Sequence, residues 1–203
     1  MEFQAIYKNC LRLSKVLAYN SIPFTILKNV TSFEYRAFQK PVQKKNGTLV
    51  YGYDWCGGCR RWATTGKLAT IKQHYRNKYN NDIIIEYVGL AADEIGRIEK
   101  FRRIRSQSIK IYPLAEWGMS EQACLDYCYS CGWNWQENGH ELYDILDRVS
   151  CWCCTNKNQK EIQNIIKYLP EYWALIKEYE MRCGIPYKGK GCKFYEKAIL
   201  AEQ

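Results

Sequence analysis

Two cysteine pairs constrain this chain more than anything else in it. Cys56-Gly57-Gly58-Cys59 comes first, and Cys151-Trp152-Cys153-Cys154 follows about 90 residues later. A Cys-x-x-Cys turn aims two thiolates at one point. Two such turns make a four-thiolate site suited to zinc or to an iron–sulfur cluster. Any fold of this chain then has to bring the two turns together. Cys56, Cys59, Cys151 and Cys154 are the candidate metal ligands, with Cys153 as a substitute for Cys154.

The other common use of paired cysteines, disulfide bonding, needs an oxidising compartment. Met1-Glu2-Phe3-Gln4 lacks the basic and apolar regions of a secretion signal. No apolar run reaches the ~18 residues that cross a bilayer. The expectation is a cytoplasmic protein without a membrane partner. There, eleven cysteines point to metal ligation or redox chemistry. Cys10, Cys124, Cys128, Cys131, Cys183 and Cys192 lie outside the two pairs. Cys124, Cys128 and Cys131 share one helical face and read as small buried core residues.

At 203 residues the chain can bury a core without covalent staples. Its net charge of +9 favours anionic partners such as nucleotides, phosphate or sulfate esters, or RNA. The basic clusters Lys44-Lys45, Arg60-Arg61 and Arg102-Arg103-Ile104-Arg105 fit that reading. They fit an ordinary solvated surface equally well.

Apolar residues at helical spacing predict an amphipathic helix over 3–19. A short strand is expected at Pro23–Lys28, a turn at Lys45-Asn46-Gly47, and a helix from near Cys59 to Tyr79. Residues 83–89 read as the best buried strand of the chain. A short helix within 91–105 leads to a second strand, Ile109–Tyr112. Ser120 and Asn158 are placed to cap helices over 121–131 and 159–168. Pro170 opens a helix that ends near Cys183-Gly184. The segment from Pro186 looks loosely held, so the expected division is a domain over 1–185 and a tail over 186–203. Strands alternating with helices argue a parallel α/β sheet, with ligands at the carboxyl ends of its strands. His74 and His140, without spacing partners, read as surface residues. Trp133, Trp135, Trp152 and Trp173 read as core more readily than as a stacking platform.

Several segments, taken in order, resemble the phosphoadenosine-phosphosulfate (PAPS) reductase family of the adenine nucleotide α-hydrolase-like superfamily. These are Cys56-Gly57-Gly58-Cys59-Arg60-Arg61-Trp62 with Lys67; Glu86-Tyr87-Val88-Gly89 through Asp93-Glu94 to Arg97; Tyr112-Pro113-Leu114 with Trp117; and Ser150-Cys151 through Cys154-Thr155. The Ser-Cys-Trp-Cys-Cys form is similar to members found in phages and mobile elements. The family's opening strand and phosphate-wrapping Ser-Gly-Gly-Lys-Asp-Ser type loop have no counterpart. The implied fold is a three-layer parallel sheet lacking its first βα unit. Gly66-Lys67 does not replace that loop, because Leu68 stands where Ser or Thr is needed.

The resemblance implies a 4Fe–4S cluster on Cys56, Cys59, Cys151 and Cys154, with zinc as the alternative. It implies an adenylyl sulfonucleotide or related anion held by Arg60, Arg61, Lys67 and Arg97. Asp93 and Glu94 would belong to the same substrate loop, or would orient the arginines or cap a helix. Cys183-Gly184-Ile185 resembles the segment carrying the family's nucleophilic cysteine. There a thiolate attacks sulfur, and a thiol reductant later releases the S-sulfocysteine. Here Arg182 precedes the cysteine and Pro186 replaces a histidine, and Cys-Gly is also an ordinary helix ending. Two other functions are carried alongside: a non-catalytic mobile-element interaction protein on a metal-stapled scaffold, and an RNA-acting sulfur transferase. The edge left by the missing strand implies a protein partner or self-association.

Overall fold

The computed structural model describes residues 1–57, 62–79, 82–103 and 108–200. Among them the protein is mixed α/β, about half helix with small sheets. It divides into two compact units, Met1–Ile71 with Trp135–Gln203, and Lys72–Asn134.

The first unit opens with α1 (Gln4–Tyr19). Its N-cap, Phe3, has no side-chain oxygen to offer, so the exposed N–H groups of the first turn are satisfied from far away. Ala5 N–H donates to the Glu137 carboxylate at 2.8 Å, and Gln4 N–H donates to the Tyr172 hydroxyl at 3.0 Å. Tyr172 in turn donates to Glu137 at 3.0 Å. The helix ends at Asn20, followed by Ser21 with φ 57°.

Pro23–Lys28, expected as a strand, is not one. Its sequence suits extended backbone, but a strand also needs a neighbour, and none of the described strands pairs with it. Next come a π-helical turn (Tyr35–Gln39) and an antiparallel hairpin of β1 (Pro41–Gln43) and β2 (Leu49–Tyr51), in register Val42↔Val50. The expected turn at Lys45-Asn46-Gly47 closes this hairpin, with Gly47 at φ 83°. α2 (Trp62–Lys78) runs from the first unit into the second.

The first unit resumes with a small ribbon, β5 (Gln136–Glu137) and β6 (His140–Glu141), turned at Asn138-Gly139 with both φ positive. That is the backbone a two-residue hairpin requires. α6 (Leu142–Ile145) leads to α7 (Gln159–Tyr168), which carries the full Asn158/Glu161 capping box. α8 (Pro170–Cys183) ends at Gly184, left-handed at φ 64°. Phe3, Leu142, Ile162, Ile165, Leu169 and Ile176 form the centre of the core, and Trp152 and Trp173 are buried with them.

The chain beyond Pro186 is not loosely held. Tyr187 is fully buried, and Cys192 and Tyr195 of α9 (Cys192–Leu200) are buried too. One carboxylate anchors the segment: Glu180 accepts from Tyr187 N–H at 2.7 Å and from Cys192 N–H at 2.9 Å.

The second unit contains β3 (Ile84–Tyr87) and β4 (Ser108–Ile111), a parallel pair in register Ile85↔Ile109, with α3 (Ile95–Arg103), α4 (Pro113–Glu116) and α5 (Glu121–Ser130). Ser120 caps α5 as expected. Two expectations are corrected here. β3 is not a buried strand, because Ile85 and Tyr87 on one face are exposed. The Cys124/Cys128/Cys131 row is not core either: the first two are half-buried and the third is exposed. The small core of this unit is Leu90, Ile98 and Tyr112.

Candidate metal and anion site

Cys59, Arg60 and Arg61 lie outside the described residues. The remaining cysteines of the two pairs do converge. Cys56, Cys151, Cys153 and Cys154 line one cleft of about 330 Å³ in the first unit, with Lys67 and Thr64 of α2 on its wall.

Backbone bonds hold the two loops together. Thr155 N–H donates to Cys56 O at 3.3 Å, and Cys154 N–H closes a turn on Cys151 O at 3.0 Å. Trp152 N–H donates to Met1 O at 3.1 Å, and the buried Tyr187 hydroxyl donates to Cys154 O at 2.9 Å. Gly57, at φ 153°, is required where it stands. A Cβ there would meet Thr155 Oγ1 at 2.0 Å. At Gly66 a Cβ would meet the Arg36 guanidinium lying across α2, and that side chain would have to swing aside.

The electrostatics of the cleft run in opposing directions. Burial pushes the Cys56 thiol up. The Ala63 backbone amide, in the first turn of α2, hydrogen-bonds to it and pulls it down, as do Lys67 and Arg36 nearby. Burial also raises Cys151, helped by the Glu2 carboxylate and opposed by Lys67. Cys153 is driven furthest up, by burial first, in keeping with a packed, protonated thiol. Neighbouring thiols raise one another, Cys154 acting on both Cys56 and Cys151. A bound cation would reverse this balance by favouring the thiolates.

Beneath the second loop lies Lys157, only 2% exposed. Its ammonium donates to Ser150 Oγ at 3.3 Å and lies 5.5 Å from the centre of the Phe3 ring. Burial lowers its pKa; Glu161 and the thiols of Cys154, Cys151 and Cys153 push the other way. A buried cation within electrostatic reach of three thiols suits a site that becomes anionic when thiolates form.

Lys67 pairs with Glu2 at 2.7 Å, and Glu2 also receives the Cys151 thiol at 3.8 Å. Burial acts to lower the Lys67 pKa, but Glu2 outweighs it and holds the ammonium above its ordinary value. Among the described residues no three His, Cys, Asp or Glu side chains stand as a complete metal-holding set. No described cysteine is in a disulfide.

Asp93, Glu94 and Arg97 belong to the second unit. Asp93 caps α5, accepting from Glu121 N–H at 3.1 Å. Glu94 accepts from Ala91 N–H and pairs with Arg97 one turn on. The acidic pair thus both caps a helix and orients an arginine, and Arg97 stays exposed.

Cys183 ends α8, where its thiol faces the carbonyls of Glu180 and Ile185. Burial raises it. Arg182 is engaged elsewhere, with Glu34 and over the Phe38 ring at 4.1 Å. His74 sits among Tyr75 and Tyr79, and His140 lies 4.7 Å from the Tyr168 ring.

Glu2, Thr64 and Lys157 take part in the site although nothing in the sequence singled them out. Thr64 follows the Cys59 turn closely and could have been found by extending the α2 N-terminus. Compared with protein-family models, with curated proteins and with solved structures, the chain matches none.

Proposed function

We propose that this is a PAPS-reductase-like sulfur-metabolism protein. It binds an adenylyl sulfonucleotide or a similar anion beside a centre ligated by Cys56, Cys59, Cys151 and Cys154. The observation that carries the reading is the cleft lined by Cys56, Cys151 and Cys154, with Lys67 on its wall and the buried Lys157 within electrostatic reach of its thiols. The donor set suits a 4Fe–4S cluster, with zinc as the alternative. Bound there, a group held by four thiolates would tie the two loops together and would be net negative, so the positive charge that holds the anion has to come from the side chains around it. The residues of the chain do the rest: Lys67 and the N-terminal amides of α2 attract the anion, and Arg60 and Arg61 are assigned to it by their place in the sequence. Arg97 keeps its assignment to an anion on the sequence resemblance alone, with Asp93 and Glu94 fixing the loop that carries it. Cys183 is assigned as the thiol that attacks sulfur in a thiol-dependent reduction. The parallel β3–β4 pair is proposed as the remnant of a three-layer sheet of the PAPS reductase type.

Titration of the purified, metal-loaded chain with an adenylyl sulfonucleotide tests the reading. Saturable binding that Lys67→Ala weakens supports it. Absence of nucleotide binding, together with RNA binding that falls steeply as salt rises, would move the assignment to an RNA-acting protein. Binding of neither would leave the interaction protein.

A further inference from the structure

The segment 11–30 is an arm in search of a cover. Of its twenty residues only Ser14 and Leu17 are half-buried, and all others are exposed. Its exposed side chains are nevertheless apolar: Leu11, Leu13, Val16 and Tyr19 on the second half of α1, then Ile22, Phe24, Ile26, Leu27 and Val30. Tyr19 is 91% exposed and Val30 94%. In extended backbone Phe24 and Ile26 point to one side and Thr25 and Leu27 to the other. A strand that is largely apolar on both sides belongs inside a covered sheet. Among the described residues no sheet partner is bonded to it.

The second unit carries the complementary defect. Its β3–β4 pair is open at both edges among the described strands. It is also inside out: Ile85 is 51% exposed, Tyr87 72% and Ile109 55%, with Ile83 beside them. The opposite face holds the half-buried Glu86–Lys110 ion pair at 2.6 Å. Parallel strands occur almost only with both faces covered. Among the described residues this sheet has edges open to a further strand and an outer face open to an apolar helix.

We propose that the arm of one copy docks on the β3–β4 sheet of a second copy. Pro23–Lys28 adds a strand at the open edge, and the preceding helical half lays Leu11, Val16 and Tyr19 on Ile85, Tyr87 and Ile109. Helix followed by strand across a two- to three-residue link is the ordinary α/β connection. The exchange is taken as reciprocal, the arrangement that closes as a two-fold dimer; one-way docking would instead give a series of larger species in sedimentation and would overturn it. Charge permits it. The strand carries a single charge, Lys28, and the β3–β4 charges are already paired. The overall charge of +9 makes copies repel at long range, so added salt tightens the dimer. An acidic partner or an anionic lipid surface would show the opposite dependence. This inference does not depend on the thiolate centre.

The test is sedimentation velocity of the full chain over a range of protein and salt concentrations. The expected result is a dimer that strengthens with salt. Ile26→Pro, which removes a strand N–H, and separately Ile109→Lys each weaken it by about tenfold or more. Both positions are exposed, so circular dichroism should show the fold retained. Hydrogen exchange should show amides 24–28 protected in the dimer only. A monomer at every concentration, a dimer indifferent to both variants, or arm amides protected in the monomer would overturn the proposal. So would binding to phosphatidylserine vesicles that protects the arm in place of a dimer.

Discussion

Replacing Glu137 by alanine should destabilise the first unit far more than a typical carboxylate substitution. Glu137 is buried and accepts two hydrogen bonds, from Ala5 N–H and from the Tyr172 hydroxyl. Removing it leaves both donors buried without a partner, at about 1–3 kcal/mol each. The tyrosine hydroxyl can rotate and recover part of this, so the expected cost is about 3 kcal/mol. Glu137→Gln keeps an acceptor but removes the charge facing the first turn of α1. It should cost about 1 kcal/mol. Tyr172→Phe removes the acceptor of Gln4 N–H as well as the donor to Glu137, so the two substitutions should be strongly non-additive. Urea unfolding followed by tryptophan fluorescence reads these values. A Glu137→Ala cost below about 0.5 kcal/mol, the range of ordinary surface substitutions, would refute the account of how α1 is anchored.

Lys157→Met should leave the metal-free fold as stable or more so, because it removes a buried cation whose charge burial disfavours. Metal retention should weaken about tenfold or more, and a competition assay with a chelator separates the two effects. Gly57→Ala should displace Thr155 and loosen the pairing of the two cysteine loops, lowering metal affinity with little change in helix content by circular dichroism. Alkaline stability has a definite sign. Burial and Glu137 hold the Tyr172 phenol up to about 12, against 10.0 for a free phenol, with Gln4 N–H opposing. Burial also raises the Cys56, Cys151 and Cys183 thiols above 9.0. The folded state therefore holds protons that the unfolded chain releases. Stability is full below pH 9, falls as unfolded thiols and phenols ionise, and goes on falling until the folded groups ionise too. Urea midpoints that rise between pH 9 and 11 would contradict this, a window set by those ionisations.

Local signals in the sequence were reliable wherever the physics is local. Ser120 and Asn158 cap the helices that they precede, and Pro170 and Gly184 bracket α8, because each acts on backbone within a few residues. Partnership between distant residues was not legible. The apolar run at 83–89 suggests burial, yet among the described residues β3 has one neighbour and one open face. Pro23–Lys28 has strand-forming residues but no strand beside it among the described residues. The segment after Pro186 looked mobile because of its glycines and lysines. Its anchor is Glu180, whose role appears only when α8 is folded. Residue type and spacing point to the meeting of Cys56 with the 151–154 loop in one cleft, while Cys59 lies outside the described residues. Glu2 and Lys157, which set the charge around them, look like any other charged residues in the sequence.

The central claim is the four-thiolate centre. Its most direct test is anaerobic purification, with an absorption spectrum and iron, sulfide and zinc analysis of the chain and of its Cys56, Cys59, Cys151 and Cys154 serine variants. The account predicts a coloured protein with about four irons and four sulfides per chain, lost in each variant. One zinc per chain would keep the ligands but make the centre a structural clamp. A fully folded chain with no metal, unaffected by the four substitutions, would contradict the claim.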